Sequence, residues 1–338
     1  MRVGVVGLGR MGSFYAETVA ALGGATHLAA IVDANASVRE AFQARLHVEH
    51  AYTDVRDALE RARLDALIVA TPTSAHAAVV MAVANSGKPI FCEKPLALTV
   101  EETRKVLDVV ERTGVLLQIG FMRRFDAPHV RAREAIQSGK IGRPLSYKSV
   151  GRDPGCPPVA FADPQHSGGL IIDMGIHDFD TARWLMASEV ERVSAEGSLL
   201  VCDELRRVGD IDNACILLRF ASGALGTIEV SRTARYGYDI QTEVLGADGA
   251  LRIGASAKRG LEDVQLLLPQ AASDDPTPPF VQRFAPAYRA QIEDFVECVR
   301  GDRPPRASGA DALAAIQIAE AATLAARRGQ PVEVLAHV

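Results

Sequence analysis

No run of 18 consecutive apolar residues occurs in this chain, so no membrane-spanning helix is expected. Cysteine is scarce and scattered: Cys92, Cys156, Cys202, Cys215 and Cys298 are odd in number and form no C-x-x-C pair. Neither a disulfide framework nor a zinc site is expected from that pattern, and no metal is assigned. A reducing cytosol is the expected home. Positive charge is not in excess, with 37 Lys+Arg against 42 Asp+Glu and a net charge of −5. The one clear basic cluster, Arg123-Arg124, is two residues long, so a nucleic-acid partner is not expected. The first apolar run starts at Val3 and meets a glycine at residue 7, leaving no room for a signal peptide. The expectation is a soluble, cytoplasmic protein without internal repeats.

What is present fits an enzyme of two domains. The chain has 338 residues, too many for one ordinary core, and 48% of them are hydrophobic, enough to bury two. In the first 120 residues, apolar runs at 2–7, 28–33, 65–71, 89–94 and 115–121 alternate with amphipathic stretches near 12–22, 36–46, 55–62, 75–86 and 100–113. Continuous apolar strands separated by helices imply a parallel sheet covered on both faces, a doubly wound α/β domain.

Its first turn reads Gly7-Leu8-Gly9-Arg10-Met11-Gly12, directly after the first strand and opening the first helix. Asp33 ends the second strand, 21 positions after Gly12. In that context G-x-G-x-x-G is the dinucleotide-binding fingerprint, with the pyrophosphate at the helix N-terminus. Asp33 accepts from ribose hydroxyls and repels a 2′-phosphate, which favours NAD over NADP. The next residues, Ala34 and Asn35, offer no cation, and Arg39, one or two helical turns on, is a cation able to reach such a phosphate.

From about residue 122 longer alternating runs appear at 143–151, 189–201, 212–234, 238–254 and 262–268, with hairpin turns at "ASG" and "ADG". They predict a C-terminal α+β domain with an open, mainly antiparallel sheet. Helices near 287–300 and 309–328 close the chain, and the proline-rich stretch 273–280 reads as an extended loop. The expected domains are 1–121, binding NAD, and 122–338, binding substrate and forming the oligomer.

One stretch of the second domain stands out, "GLIIDMGIHDFD" at 169–180, with Asp173 and His177 four residues apart. In a helix that spacing puts both on one face. The pair is then either a structural hydrogen bond or a base with the group that orients it. His177 suits proton abstraction because imidazole titrates near neutrality, and Asp173 can set its tautomer. Asp178 and Asp180 turn to other faces and read as structural.

Taken in order, "GLGRMG", "ATPTSAH" (70–76), "CEKPLALT" (92–99), "GFMRRFD" (120–126) and "GGLIIDMGIHDFD" resemble the glucose-fructose oxidoreductase / inositol dehydrogenase / rhizopine-catabolism family, with inositol 2-dehydrogenases the nearest in look. The resemblance spans nearly the whole chain. It implies that Lys94 lies beside the nicotinamide and hydrogen-bonds the reacting hydroxyl, with Asp173 and His177 across the cleft as catalytic partners. Glu93 is implied to approach the nicotinamide ribose. Gly7, Gly9, Arg10, Met11, Gly12, Asp33, Thr71, Pro72, His76, Glu93 and Lys94 form the implied cofactor site. Arg124, Arg152, Asp153 and Tyr236 join Lys94, Asp173 and His177 around a cyclic polyol. The implied activity is NAD-dependent oxidation of an inositol ring alcohol to an inosose, by a homotetramer built as a dimer of dimers. A pyranose dehydrogenase, a non-catalytic dinucleotide-dependent regulator and an NAD-dependent glycoside hydrolase remain open on the same fold.

Overall fold

The computed structural model describes residues 1–254 and 280–334. They divide into two compact units, Met1–Phe125 with Pro286–Leu313, and Asp126–Ala285 with Ala314–Val338. By packing, the stretch 286–313 groups with the first unit. The strand expected at 262–268 and most of the proline-rich stretch lie outside the described residues.

In the first unit, strands β1 (Arg2–Val6), β2 (His27–Val32), β3 (His50–Tyr52), β4 (Ala66–Val69), β5 (Ile90–Cys92) and β6 (Leu117–Ile119) make one parallel sheet in the order β3-β2-β1-β4-β5-β6. Helices α1 (Arg10–Leu22), α2 (Ala36–Leu46), α3 (Val55–Arg61), α4 (Thr73–Asn85) and α5 (Val100–Thr113) connect them. The order reverses at β1/β4, the switch point where such sheets bind ligands beyond their carboxyl ends. Val3, Val5, Ile31, Leu67, Ile68 and Phe91 are fully buried, as strands covered on both faces require. Local signals set the helix ends. The Thr99 hydroxyl accepts from the Glu102 amide at 3.1 Å, Glu101 and Glu102 complement the dipole, and Gly114 closes α5 at φ 66°.

The second unit holds α6 (Ala127–Gln137), β7 (Pro144–Arg152), α7 (Val159–Ala162), α8 (Pro164–Ser167), α9 (Gly169–Asp173), α10 (Ile176–Met186), β8 (Val190–Ser198), β9 (Asn213–Phe220), β10 (Leu225–Ser231), β11 (Asp239–Gly246), β12 (Ala250–Ile253) and β13 (Val332–Glu333). Helices α11 (Phe280–Gly301) and α12 (Gly309–Arg328) each contribute residues to both units. The seven-stranded sheet runs β12-β11-β7-β10-β9-β8-β13, antiparallel except for the β7/β10 pair. Along β9, Ala214, Ile216, Leu218 and Phe220 are buried, whereas Cys215, Leu217 and Arg219 face out. The alternation places α9 and α10 against the inner face and, among the described residues, leaves Cys215, Leu217 and Arg219 exposed on the other.

Cysteine behaves differently from the expectation. Cys156, in the loop after β7, and Cys202 are joined in a disulfide across a sequence separation of 46. The pairing follows from tertiary proximity, which spacing along the chain does not reveal. Ala162, Cys202 and Leu205 form a small apolar cluster there, and the Asp212 carboxylate gathers the amides of Leu200, Val201 and Cys202 at 2.7–2.9 Å. Among the described residues no helix is long and apolar enough to cross a membrane, and no cluster of potential metal ligands occurs.

Candidate active site

The glycine turn of the first unit is dictated by close packing. Gly7 adopts φ +87°, and a Cβ there would lie 2.7 Å from the Ala70 carbonyl and the Thr71 amide. A Cβ at Gly12 would lie 1.7 Å from the Gly7 oxygen, but one at Gly9 would meet nothing within 4 Å. Two glycines thus let the chain close on itself, and the third opens a space before the N-terminus of α1. That helix has no acidic residue in its first turn, so none of its own side chains there opposes an anion at its positive end. Asp33 fastens the turn, its carboxylate accepting from the Leu8 amide at 2.7 Å and the Asn35 amide at 2.8 Å. Arg39 donates to the Asp33 and Ala34 carbonyls at 2.6 and 3.1 Å, so its guanidinium is seated at the end of β2. A dinucleotide fits this arrangement: pyrophosphate against the Gly9 opening and ribose against Asp33.

Lys94 follows β5, and the structure shows what holds its backbone. The Lys94 amide donates to the buried Glu93 carboxylate at 3.0 Å, and the other carboxylate oxygen accepts from the Tyr15 hydroxyl of α1. Gln291 of α11 donates to the same hydroxyl at 2.8 Å, so a residue 276 positions away completes the strand end. Burial pushes the Glu93 carboxyl above its ordinary range, opposed by the Tyr15 hydrogen bond and the Lys94 charge.

His76 is held by two backbone carbonyls. Its ring nitrogens lie 2.7 Å from the Pro95 carbonyl and 2.8 Å from the Thr71 carbonyl. Burial holds its pKa below the usual histidine value, so the ring is neutral at pH 7 and stitches the two loops that carry Thr71-Pro72 and Lys94-Pro95. The polar atoms of the ring are committed to the protein itself.

In the second unit, Asp173 and His177 are not on one uninterrupted helix. Asp173 ends α9 and His177 lies in the first turn of α10, after Met174 and Gly175, which keep right-handed backbone angles. Gly175 is needed at the junction, because a Cβ there would lie 2.4 Å from the Ile171 carbonyl and 3.2 Å from the Phe179 ring. Asp173 accepts from Arg232, just after β10, at 3.2 Å. Arg232 in turn donates at 2.5 Å to Asp210, whose second oxygen takes the Leu170 amide at 3.0 Å. Sequence reasoning missed Arg232 and Asp210, since neither belongs to a pattern along the chain. Asp178 and Asp180 are buried, as expected of structural residues.

The expected polyol contacts are divided between the units. Arg124 belongs to the first unit and is buried, donating to the Arg306 carbonyl at 2.7 Å and to Asp311 at 2.8 Å. Burial disfavours the Asp311 charge, yet the Arg124 cation outweighs it and holds the carboxyl below its usual range. These two bonds anchor the Arg124 guanidinium within the first unit. Arg152 and Tyr236 come together in the second unit: Arg152 donates to the Tyr236 hydroxyl at 2.8 Å and to Glu229 at 2.8 Å, and Tyr236 donates to Asp239 at 2.8 Å. The Asp153 backbone ties this loop to the segment after β10, through Ser231 and Ala234.

Known proteins share this architecture. Residues 1–121 match the description "Oxidoreductase family, NAD-binding Rossmann fold" and residues 133–334 match "Oxidoreductase family, C-terminal alpha/beta domain". The chain is 38% identical to scyllo-inositol 2-dehydrogenase (NAD(+)) of Bacillus subtilis, over 98% of this chain and 96% of that protein. It is 37% identical to inositol 2-dehydrogenase of Rhizobium meliloti, over 95% and 96%. The crystal structure of scyllo-inositol dehydrogenase from Lactobacillus casei, with bound cofactor NAD(H) and scyllo-inositol, superposes with a TM-score of 0.89 at 29% identity, covering 99% of both chains. With a glycine turn built for a dinucleotide in one unit and an α/β second unit matched over almost its whole length, this chain belongs to the glucose-fructose oxidoreductase / inositol dehydrogenase / rhizopine-catabolism family of NAD-binding oxidoreductases.

Proposed function

We propose that the chain oxidises one ring carbinol of an inositol, myo or scyllo, to the corresponding inosose. The observation that carries this reading is identity of 37–38% over nearly full length with NAD-dependent and other inositol 2-dehydrogenases, in a chain that has Lys94, Asp173 and His177. NAD, when bound, supplies the hydride acceptor. Gly9 and the α1 N-terminus would hold its pyrophosphate, on a turn that Gly7 and Gly12 allow to close, and Asp33 would hold its ribose. His177 takes the hydroxyl proton on its imidazole. Asp173 supports the imidazolium so formed. The Lys94 ammonium stabilises negative charge growing on the reacting oxygen. Arg124, Arg152, Asp153 and Tyr236 sort the remaining hydroxyls, with Glu229 and Asp239 fixing Arg152 and Tyr236.

The test is a panel of myo-, scyllo- and chiro-inositol with glucose and xylose, followed as NADH absorbance. Turnover of an inositol with kcat/KM at least tenfold above either sugar is expected. Preference for a sugar would make the chain a pyranose dehydrogenase, free-sugar release from a glycoside without net NADH a hydrolase, and absence of all turnover a regulator.

The same reading includes a cytoplasmic site of action and a homotetramer assembled as a dimer of dimers. Leu217, Leu225 and Leu245 are exposed on the outer face of the seven-stranded sheet, which carries a groove of about 500 Å³ lined by Cys215, Leu217, Thr227 and Pro331 among others. A second copy would cover that apolar face. Light scattering at micromolar concentration should give four times the chain mass of 36.1 kDa, and a monomer would remove the idea.

A further inference from the structure

We infer that Arg232 is a positioning residue for the proton transfer, holding the Asp173 carboxylate in place and offsetting part of its charge toward the base. The inference rests on the reading of His177 as that base. Arg232 is the largest fully buried side chain among the described residues, 2% exposed, between Asp210 at 5% and Asp173 at 19%. Asp173 is thus the outer end of a cluster whose other members lie in the core. The cluster grips α9 at both ends, because Asp210 binds the Leu170 amide in its first turn and Arg232 binds Asp173, its last residue.

Stability alone is a poor reason for such a cluster. Apolar residues of the same volume usually do as well as a buried ion group, since desolvation consumes most of the Coulombic gain. The arginine does something an apolar residue cannot. An isolated carboxylate next to an imidazole stabilises the imidazolium and raises the pH at which the base becomes free. Arg232, shared between two carboxylates, withdraws part of that field from the base. The charges concerned are Asp173 on α9, Arg232 after β10 and Asp210 before β9, with Asp178 and Asp180 buried on α10 itself.

The experiment is the pH profile of kcat/KM for the wild type, Arg232→Met, Arg232→Lys, the double variant Arg232→Met/Asp210→Asn, and His177→Ala. The double variant removes the carboxylate that Arg232→Met would leave buried and unpaired, so it keeps the comparison open should the single variant fail to fold. Loss of Arg232 should move the acid limb upward by roughly one pH unit, because the imidazolium gains the full field of Asp173. Arg232→Lys keeps the charge but loses the two-pronged geometry, so kcat should fall while the limb stays near its wild-type position. A limb that stays in place in both Arg232→Met and the double variant overturns the inference. A limb that persists in the residual activity of His177→Ala overturns instead the assignment of the base.

Discussion

The proposed site residues of the two units are held by different materials. The first uses backbone: the glycine turn, the open end of α1, and carbonyls stitched by His76. The second uses side chains from separate elements, Asp173 from α9, Arg232 from beyond β10 and Asp210 from before β9. A backbone site needs particular residues at fixed spacing along one stretch, so it is written where it can be read. A side-chain cluster needs only that its members meet in space, and their sequence positions are free.

Two sites so differently made should fail separately. The largest effect should come from His177→Ala, which should lower kcat by roughly two to four orders of magnitude, the range for a positioned acid or base. NADH affinity, read by fluorescence titration, should change less than about threefold, because the glycine turn is untouched. A parallel collapse of NADH binding would break the division, and near-normal turnover in a folded variant would leave Lys94 as the proton acceptor.

The same division explains what the sequence revealed. Five parallel strands, their helices and the dinucleotide turn followed from apolar runs and from Gly7, Gly9, Gly12 and Asp33. Only the three-residue β3 went unseen, too short to make a pattern. In the second unit the alternating strands and the Asp173/His177 pair were readable, yet one parallel pairing, β7 with β10, was not. The break at Gly175 and the pairing of Cys156 with Cys202 were also hidden, since each depends on which surfaces meet. Tyr15 and Gln291 are the counterpart in the first unit: where that unit does use side chains, around Glu93, its wiring was equally invisible.

A second test sharpens the contrast by acting on the second unit alone. The Cys156–Cys202 bond closes a span of 46 residues there, and a cross-link of such length stabilises by about 2–4 kcal/mol through the unfolded chain. Cys156→Ser should therefore lower the melting temperature by several degrees, with NADH affinity preserved. An unchanged melting temperature would show that the Asp212 contacts to Leu200, Val201 and Cys202 hold the segment unaided.

The first unit admits a finer dissection. A Cβ at Gly9 meets no protein atom within 4 Å, so Gly9→Ala should leave folding stability within about 0.5 kcal/mol of the wild type. It should nonetheless weaken NADH binding by roughly tenfold or more, because the methyl enters the space the pyrophosphate takes. Equal loss of stability and affinity would mean that this glycine serves the fold as Gly7 and Gly12 do.

The smallest effect concerns coenzyme choice, where a side chain enters the backbone-built site. The wild type should prefer NAD to NADP in kcat/KM, since the Asp33 carboxylate repels a 2′-phosphate. Asp33→Ser should narrow that preference by roughly fivefold, and it has two separable effects. Removing the anion lifts the repulsion and leaves Arg39, seated on the Asp33 and Ala34 carbonyls, as the nearest guanidinium to a 2′-phosphate. The same change also releases the Leu8 and Asn35 amides that Asp33 holds, so the glycine turn loosens and both coenzymes bind less well. The ratio of the two kcat/KM values cancels that loosening and isolates the charge. A ratio that does not move in Asp33→Ser would transfer discrimination to another residue, and a wild type equally efficient with both coenzymes would mean that Arg39 already overrides the carboxylate.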